Sequence, residues 1–212
     1  MEKILVLGVG PGASEYVLPK TMELAAKCHV LLGGERNLAL FRELSPEKVA
    51  LKGSLDNILE YLKKHYGRKK MGVLVSGDPG LFSMLGVLRR HFPEEALEVV
   101  PGISALQYFC ACLQLSWHDA LILSLHGREE QELASLVRGS SKVIIFTDSR
   151  WTPASVCDRL VEEGLRNRKV FVGERLSYPE EKILTGGLED FREKEVSNPN
   201  LMAIISESGE DR

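Results

Sequence analysis

Three short runs rich in glycine and proline contain the residues of this chain that are best suited to hold a ligand. They are Gly8-Val9-Gly10-Pro11-Gly12, Ser76-Gly77-Asp78-Pro79-Gly80 and Pro101-Gly102-Ile103-Ser104-Ala105. Glycine lets the backbone approach a bound molecule closely, and Asp78 adds a negative charge to the second run. Each run follows an apolar segment, as expected where a buried parallel strand ends. Because ligands of open α/β sheets bind beyond the carboxyl ends of such strands, the runs predict a small-molecule site.

Structural roles explain part of the same pattern. Asp78 would cap a helix beginning at Leu81, and Ser104 is a candidate N-cap of the next helix. His126 follows another predicted strand and is a candidate for moving a proton near neutral pH. A hydrogen-bonded structural histidine explains His126 equally well. The sequence shows no obvious catalytic dyad or triad, so it does not identify the catalytic residues.

The elements around these runs alternate between strand and helix. Predicted strands of the first half cover residues 4–7, 29–32, 73–75 and 97–100, with helices at 18–27, 55–65, 81–91 and 104–112. Such alternation indicates a parallel sheet covered by helices. Predicted strands of the second half cover 120–125, 142–147, 169–172, 181–185 and 201–206. Because the pattern breaks at 113–119, we predict two α/β domains, 1–114 with a mainly parallel sheet and 115–212 with a mixed sheet.

Composition disfavours several classes of protein. Hydrophobic residues make up 44% and charged residues 27% of the 212 residues, which is typical of a globular protein. A net charge of −3 provides no field that would attract nucleic acid or an anionic membrane. No apolar stretch approaches the ~20 residues of a membrane span, and no leader-like segment is recognisable, so we expect a cytoplasmic protein. The four cysteines lack zinc-site spacings, so we expect reduced thiols and no metal.

The first glycine run also matches a dinucleotide fingerprint. Gly8-x-Gly10-x-x-Ala13 fits G-x-G-x-x-G/A, and Glu35 stands where a ribose-binding acid would. Pro11, however, removes an N–H from the loop that should bind a pyrophosphate. Pro19 further predicts a longer, bent loop before the helix. A dinucleotide-dependent oxidoreductase is therefore kept as an alternative.

Taken in order, seven motifs of the chain resemble the tetrapyrrole methylases, a family of S-adenosylmethionine-dependent methyltransferases. The resemblance spans residue 1 to about 205. Within the family, the second and sixth motifs resemble the branch that methylates C5 of cobalt-precorrin-7 in cobalamin biosynthesis. The motifs are Gly8-x-Gly10-Pro11-Gly12, Val30–Arg36, Ser76–Gly80, Pro101–Ala105, Trp117–Ala120, Ser124–Arg128 and Phe146–Ser149.

The resemblance implies a fold, a cofactor and an assembly. The fold would be the two-domain α/β tetrapyrrole methylase fold, with S-adenosylmethionine in the cleft between the domains and S-adenosylhomocysteine as the product. The assembly would be a homodimer. Matched motif by motif, the cofactor contacts would be Pro11, Gly77, Asp78, Leu81, Ser104, Ala105, Asp148 and Arg175.

The implied substrate is a tetrapyrrole rimmed with carboxylates, cobalt-precorrin-7 or its metal-free counterpart. Guanidinium groups bind carboxylates bidentately, which makes Arg36, Arg128 and Arg150 candidate substrate ligands, although each also fits a solvated loop arginine. An enamine-like carbon of the macrocycle is nucleophilic without a strong base, so positioning would supply most of the catalysis. Methylation with decarboxylation at C15, fused to this activity in some relatives, would belong to a separate protein.

Other functions remain open at this point. A uroporphyrinogen methylase or a diphthine synthase would keep the cofactor and change the substrate. A non-catalytic tetrapyrrole carrier would bind the macrocycle alone. It would leave the Gly77-Asp78-Pro79-Gly80 turn without a function.

Overall fold

The chain folds into two compact units, Met1–Ala105 and Leu106–Arg212. We analysed a computed structural model that describes residues 2–50, 55–125 and 132–206. The division after Ala105 falls at the start of a helix, whereas the sequence places the boundary after that helix. Each unit is built on its own sheet and is described by itself.

The described residues of the first unit include five strands and four α-helices. Buried apolar residues fill β1, β2 and β4 completely, as expected for strands covered on both faces. The strands are β1 (Ile4–Gly8), β2 (Val30–Gly33), β3 (Glu47–Ala50), β4 (Met71–Val75) and β5 (Leu97–Val100). The helices are α1 (Pro19–Ala26), α2 (Glu35–Ala39), α3 (Leu55–His65) and α4 (Leu85–His91).

All five strands of the first sheet run parallel, in the order β3-β2-β4-β1-β5. The predicted parallel sheet is therefore confirmed. Apolar clusters cover both of its faces, one containing Met71 and Leu62, the other Leu31 and Phe41. This arrangement brings the carboxyl ends of β2, β4, β1 and β5 to one edge, where the glycine runs begin.

Among the described residues, the second unit contains five further strands and three α-helices. The strands are β6 (Leu121–Ser124), β7 (Lys142–Phe146), β8 (Arg168–Glu174), β9 (Lys182–Gly187) and β10 (Asn200–Ser206). The helices are α5 (Ala105–Cys112), α6 (Leu133–Arg138) and α7 (Pro153–Glu162). Pro153 and the Thr152 side chain, which accepts a hydrogen bond from the Ser155 N–H, define the start of α7.

The second sheet is mixed, as predicted, with the order β6-β7-β10-β8-β9. β6 and β7 are parallel, while β10 pairs antiparallel with both β7 and β8. β9 adds an antiparallel edge through a hairpin with β8. The core of this unit packs around Phe191, Leu160 and Met202.

Three sequence-based assignments differ from the structure. Helix α2 and strand β3 lie in a stretch for which the sequence predicted no element. Helix α4 begins at Leu85 rather than at Leu81, and residues 81–84 form a turn instead. None of the helices in the described ranges is long and apolar enough to cross a membrane.

Candidate functional site

The glycine runs after β1 and β4 pair with each other at the edge of the first sheet. The Val9 N–H donates to the Val75 carbonyl at 3.0 Å, which extends the β1–β4 pairing by one residue. Beyond it, the Gly77 N–H donates to the Gly10 carbonyl at 2.8 Å, and the Gly10 N–H returns a longer bond of 3.4 Å to Gly77. The two loops therefore form one hydrogen-bonded platform.

The third glycine run joins this platform by direct backbone contact. A Cβ atom on Gly102 would lie 2.3 Å from the Gly77 oxygen and 2.9 Å from the Gly8 Cα, closer than Cβ atoms approach other atoms in proteins. Gly77 also has a φ of +67°, a left-handed conformation that side chains rarely adopt. Glycine is thus required at Gly102 by the close approach of the loops and at Gly77 by the backbone conformation.

Asp78 holds the second and third loops together. Its Oδ1 accepts a hydrogen bond from the Gly80 N–H at 2.7 Å, and its Oδ2 accepts one from the Gly102 N–H at 3.0 Å. Hydrogen bonds to a carboxylate are stronger than those between neutral groups. The expectation that Asp78 caps a helix at Leu81 is wrong, because α4 starts at Leu85 and Met84 stands at its N-cap position.

Six of the eight predicted cofactor contacts lie on these three loops of the first unit. Pro11 follows Gly10 directly, and the Leu81 N–H donates to the Asp78 carbonyl at 3.2 Å. A Cβ on Gly77 would lie 3.4 Å from the Ser104 Cα and 3.7 Å from the Ala105 nitrogen. The structure therefore brings Pro11, Gly77, Asp78, Leu81, Ser104 and Ala105 together. Their role as cofactor contacts stays a prediction.

The loop after β1 also differs from the loop that a dinucleotide-binding protein would have. A short 3₁₀ turn, Ser14–Tyr16, separates the glycine run from α1, which begins only at Pro19. The predicted longer loop is confirmed. In a dinucleotide fingerprint the helix begins at the glycine run, so that its N-terminus faces the pyrophosphate. That context is absent from this loop.

The other two predicted contacts lie in the second unit, on either side of the start of β10. Asp148 follows β7, and its Oδ1 accepts hydrogen bonds from the Arg150 and Trp151 N–H groups at 2.8 and 2.7 Å. Arg175 follows β8 with a φ of +45°, and its N–H donates to the Pro199 carbonyl at 2.9 Å. Bulky residues held in the left-handed region often mark functional loops.

The candidate substrate ligands are placed only in part. Arg36 is exposed on α2, directly beyond the carboxyl end of β2. Arg150 is exposed in the turn that Asp148 holds. His126 and Arg128 lie outside the described residues.

Asn37, a polar residue that the sequence did not single out, connects α2 to the second glycine run. The Ser76 hydroxyl donates to the Asn37 Oδ1 at 3.0 Å, and the Asn37 amide donates to the Leu74 carbonyl at 3.4 Å. Asn37 thereby fixes the helix that carries Arg36 beside the loop that carries Asp78. The only sequence signal was a polar residue next to Arg36, which is common on any helix.

The cysteines are suited to packing rather than to reaction. Burial raises the pKa of Cys28 and of Cys110 to about 11, and that of Cys157 to about 12. Thiolates are therefore scarce at neutral pH at these three positions. Within the described ranges, no three His, Cys, Asp or Glu side chains cluster as metal ligands would.

The fold and these loops define the class of protein. A model of the family described as Tetrapyrrole (Corrin/Porphyrin) Methylases matches residues 3–192, so the chain belongs to the tetrapyrrole methylase family. The resemblance drawn from the seven motifs is confirmed. A solved uroporphyrin-III C-methyltransferase from Thermus thermophilus, complexed with S-adenosylhomocysteine, has a TM-score of 0.77 and 25% identity, with 97% of each chain covered.

Curated relatives point to one branch of this family. The chain is 32% identical over 193 residues to the probable cobalt-precorrin-7 C(5)-methyltransferase of Methanocaldococcus jannaschii, covering 88% of this chain and 90% of the relative. It is also 32% identical over 182 residues to the cobalt-precorrin-7 C(5)-methyltransferase of Salmonella typhimurium, covering 85% and 88%. These relatives belong to the branch that the second and sixth motifs predicted.

Proposed function

We propose that this protein transfers a methyl group from S-adenosylmethionine to C5 of cobalt-precorrin-7, or of its metal-free counterpart, in cobalamin biosynthesis. The observation that carries the proposal is the near full-length match to two C(5)-methyltransferases. The three-loop platform of the first unit supports it, because it lies at the carboxyl edge of a parallel sheet, where ligands of such sheets bind.

The residues on the platform fit the proposed cofactor. When bound, S-adenosylmethionine supplies an electrophilic methyl group on a positively charged sulfur. Asp78 offers a half-buried negative charge, and Gly77, Gly80 and Ala105 leave room for close backbone contact. A positive charge near a carboxylate is favoured most where water is partly excluded. Pro11, Leu81 and Ser104 complete the set that would hold the cofactor on this unit.

Methyl transfer mainly requires that the protein aligns the methyl donor with the carbon nucleophile. A carbon nucleophile and a methyl donor held in line gain about 7–11 kcal/mol from positioning alone. Hydrogen bonds between Gly10 and Gly77, and from the Gly102 N–H to the Asp78 carboxylate, fix the loops before any ligand arrives. Loops that are already ordered lose little entropy on binding. The described residues include no side chain to which we assign the substrate proton.

The substrate would be held by cationic residues beside the platform. Arg36 stands on α2, and β2 neighbours β4 in the sheet, so this helix lies beside the loop that carries Asp78. We extend the proposal to Arg128 and Arg150 as ligands of acetate and propionate groups. Asp148 and Arg175 are proposed as further cofactor contacts.

Three wider expectations belong to the same proposal. We infer a homodimer in the cytoplasm, acting without nucleic acid or membrane. Because this activity methylates C5 alone, a separate C15-methylating decarboxylase would act on the same macrocycle. Molar mass from light scattering tests the dimer, and a mass near 23.6 kDa would contradict it.

The first experiment is calorimetric titration with S-adenosylhomocysteine, with NADH titrated in parallel. Micromolar binding of S-adenosylhomocysteine alone supports the proposal. Binding of NADH alone would favour the oxidoreductase. Binding of a tetrapyrrole without S-adenosylhomocysteine would favour the carrier.

The second experiment assigns the substrate. The protein is incubated anaerobically with methyl-labelled S-adenosylmethionine and cobalt-precorrin-7, and the product is examined by mass spectrometry and NMR. One added methyl at C5 supports the proposal. Methylation of uroporphyrinogen instead, or of a protein histidine as a diphthine synthase would produce, contradicts it.

A further inference from the structure

Phe82, an exposed aromatic residue in a strained backbone conformation, lies beside the platform and is not among the residues proposed to hold the cofactor. Phe82 is 48% exposed, the highest value among the large hydrophobic side chains described as exposed. Its φ is +46°, in the left-handed region that bulky residues rarely occupy. A phenylalanine with this combination is costly to the fold and gains little from burial.

The neighbours of Phe82 hold the turn in place. Leu81 donates its N–H to the Asp78 carbonyl at 3.2 Å. The Ser83 hydroxyl donates to the Pro79 carbonyl and accepts a hydrogen bond from the Leu85 N–H at 3.2 Å. Residues on both sides thus fix the conformation that presents the ring. Strained conformations held in this way cluster at ligand sites.

The surroundings indicate what the ring would meet. Phe82 belongs to the loop after β4, and Arg36 belongs to the helix after β2, the neighbouring strand. The Ser76–Asn37 hydrogen bond of 3.0 Å joins these two segments directly. An apolar aromatic ring on this loop and a cationic group on the adjacent helix suit a ligand that is flat and apolar in the middle and anionic at its rim.

We infer that Phe82 is a substrate-positioning residue whose ring packs against the face of the tetrapyrrole macrocycle. The inference rests on the proposed function, because it assumes a macrocycle beside the cofactor loop. It assigns Phe82 to the substrate and leaves cofactor binding to the small residues of the platform. Aromatic rings contribute through offset stacking on extended π-systems.

The test compares two substitutions of equal backbone cost. Phe82→Tyr keeps the ring, whereas Phe82→Leu keeps apolar bulk and loses the ring. The probe is uroporphyrin III, a stable tetrapyrrole octacarboxylate, titrated by fluorescence, with S-adenosylhomocysteine titrated by calorimetry. Ile183→Ala removes an exposed apolar side chain from β9, 37% exposed, and serves as the control.

We expect Phe82→Leu to weaken uroporphyrin binding about threefold to tenfold, as loss of one aromatic contact should. Phe82→Tyr and Ile183→Ala should bind it as the unaltered chain does, and all variants should bind S-adenosylhomocysteine equally. Equal uroporphyrin binding by Phe82→Leu, or no uroporphyrin binding by the unaltered chain, overturns the assignment. A parallel loss of S-adenosylhomocysteine binding would make the ring a support for the cofactor loop and also overturn it. So would a changed molar mass, which would make Phe82 a subunit contact.

The experiment distinguishes a failure of the proposed function from a failure of the Phe82 assignment. If the unaltered chain binds uroporphyrin III and Phe82→Leu weakens that binding, the ring contact stands even where S-adenosylhomocysteine does not bind. That result would identify a tetrapyrrole carrier in place of a methyltransferase. Melting temperatures of the variants report directly whether any loss of binding arises from unfolding.

Discussion

Adding one methyl group at Gly102 should disable the platform, whereas the same addition at Gly86 should not. The Cβ of Gly102→Ala would meet the Gly77 oxygen at 2.3 Å and the Gly8 carbonyl carbon at 2.8 Å, both of them backbone atoms. Gly102 is not in the left-handed region, so the cost arises from collision rather than from φ. Because the nearest atoms on both sides belong to the backbone, no flexible side chain can move to make room for the Cβ.

The expected loss of stability in Gly102→Ala follows from the contacts that the new Cβ must displace. Overpacking of a tight site costs about 1–3 kcal/mol, and moving the loops also strains the bonds Gly77–Gly10 and Asp78–Gly102 at about 0.5–1.5 kcal/mol each or more. We expect a total loss of about 3–5 kcal/mol, hence a melting temperature lower by about 6–20 °C for a chain of this size. S-adenosylhomocysteine should bind about tenfold more weakly, the equivalent of one lost hydrogen bond.

Gly86→Ala is the matched control. Gly86 lies within α4, and a Cβ there would meet nothing within 4 Å. Alanine is the better helix former, so this variant should be more stable by about 0.5–1 kcal/mol and bind S-adenosylhomocysteine normally. Urea unfolding and calorimetry measure both quantities. If Gly102→Ala is as stable as Gly86→Ala, or binds the ligand as tightly, the close approach of the loops is not what we describe.

Three other predictions concern single side chains. Asp78→Asn replaces one acceptor by an amide donor facing an N–H, so it should lower stability by about 1–3 kcal/mol, measured by urea unfolding, and weaken S-adenosylhomocysteine binding. Only Cys112, the one exposed thiol, should react with Ellman's reagent in the folded protein at pH 8, and slowly, because partial burial and the nearby Glu181 raise its pKa. The hydrogen bond from Lys142 lowers the pKa of the Asp119 carboxyl below its ordinary value, so the carboxylate stabilises the fold above that ordinary value and stops doing so as the pH falls through the lowered pKa. The stability difference between the unaltered chain and Asp119→Asn should therefore shrink on acidification below about pH 4, followed by urea unfolding.

Each of these has its own control. Asp190→Asn alters another carboxylate that accepts from a backbone N–H, that of Gly187 at 2.7 Å, and should leave ligand binding unchanged. All four thiols should react once the chain is unfolded. Fast labelling of two or more thiols in the folded chain would contradict the burial of the others. A stability difference for Asp119→Asn that stays constant from pH 6 to pH 2 would contradict the lowered pKa.

Much of the fold was predictable because its signals are local. The buried strands β1 and β4 are predicted by uninterrupted apolar runs, and a glycine or proline lies at or within two residues of the end of β1, β4 and β5. Pro153 at the first helical position is likewise a local signal for the start of α7. The candidate cofactor loops were identified through family motifs, which carry information that periodicity alone does not.

The missed elements are short or exposed. α2 has five residues, too few for a helical period to be seen, and β3 (Glu47–Ala50) is a half-exposed edge strand with two charged residues. The start of α4 was misplaced because Leu81 looks like a core residue, while the left-handed Phe82 and the Ser83–Pro79 hydrogen bond keep residues 81–84 in a turn.

Hydrogen bonds between loops could not be predicted from the sequence for a different reason. The Asp78–Gly102 and Ser76–Asn37 hydrogen bonds join residues 24 and 39 positions apart in the chain. They exist because the strand order places β4 beside both β1 and β2, with β5 one strand further along. A single sequence indicates each strand but not its neighbours, so pairs of this kind become visible only in the folded sheet.

The place of β10 has a consequence for how the chain is made. All strands of the first sheet precede residue 101, whereas β10 is the last described strand and sits at the centre of the second sheet. Until Asn200–Ser206 emerges from the ribosome, β7 and β8 each present an apolar edge without the strand that pairs with it. Such edges invite association with other chains. The second unit should therefore be the part of the chain that needs chaperones during synthesis. It should also be the part that a premature stop codon late in the gene disrupts.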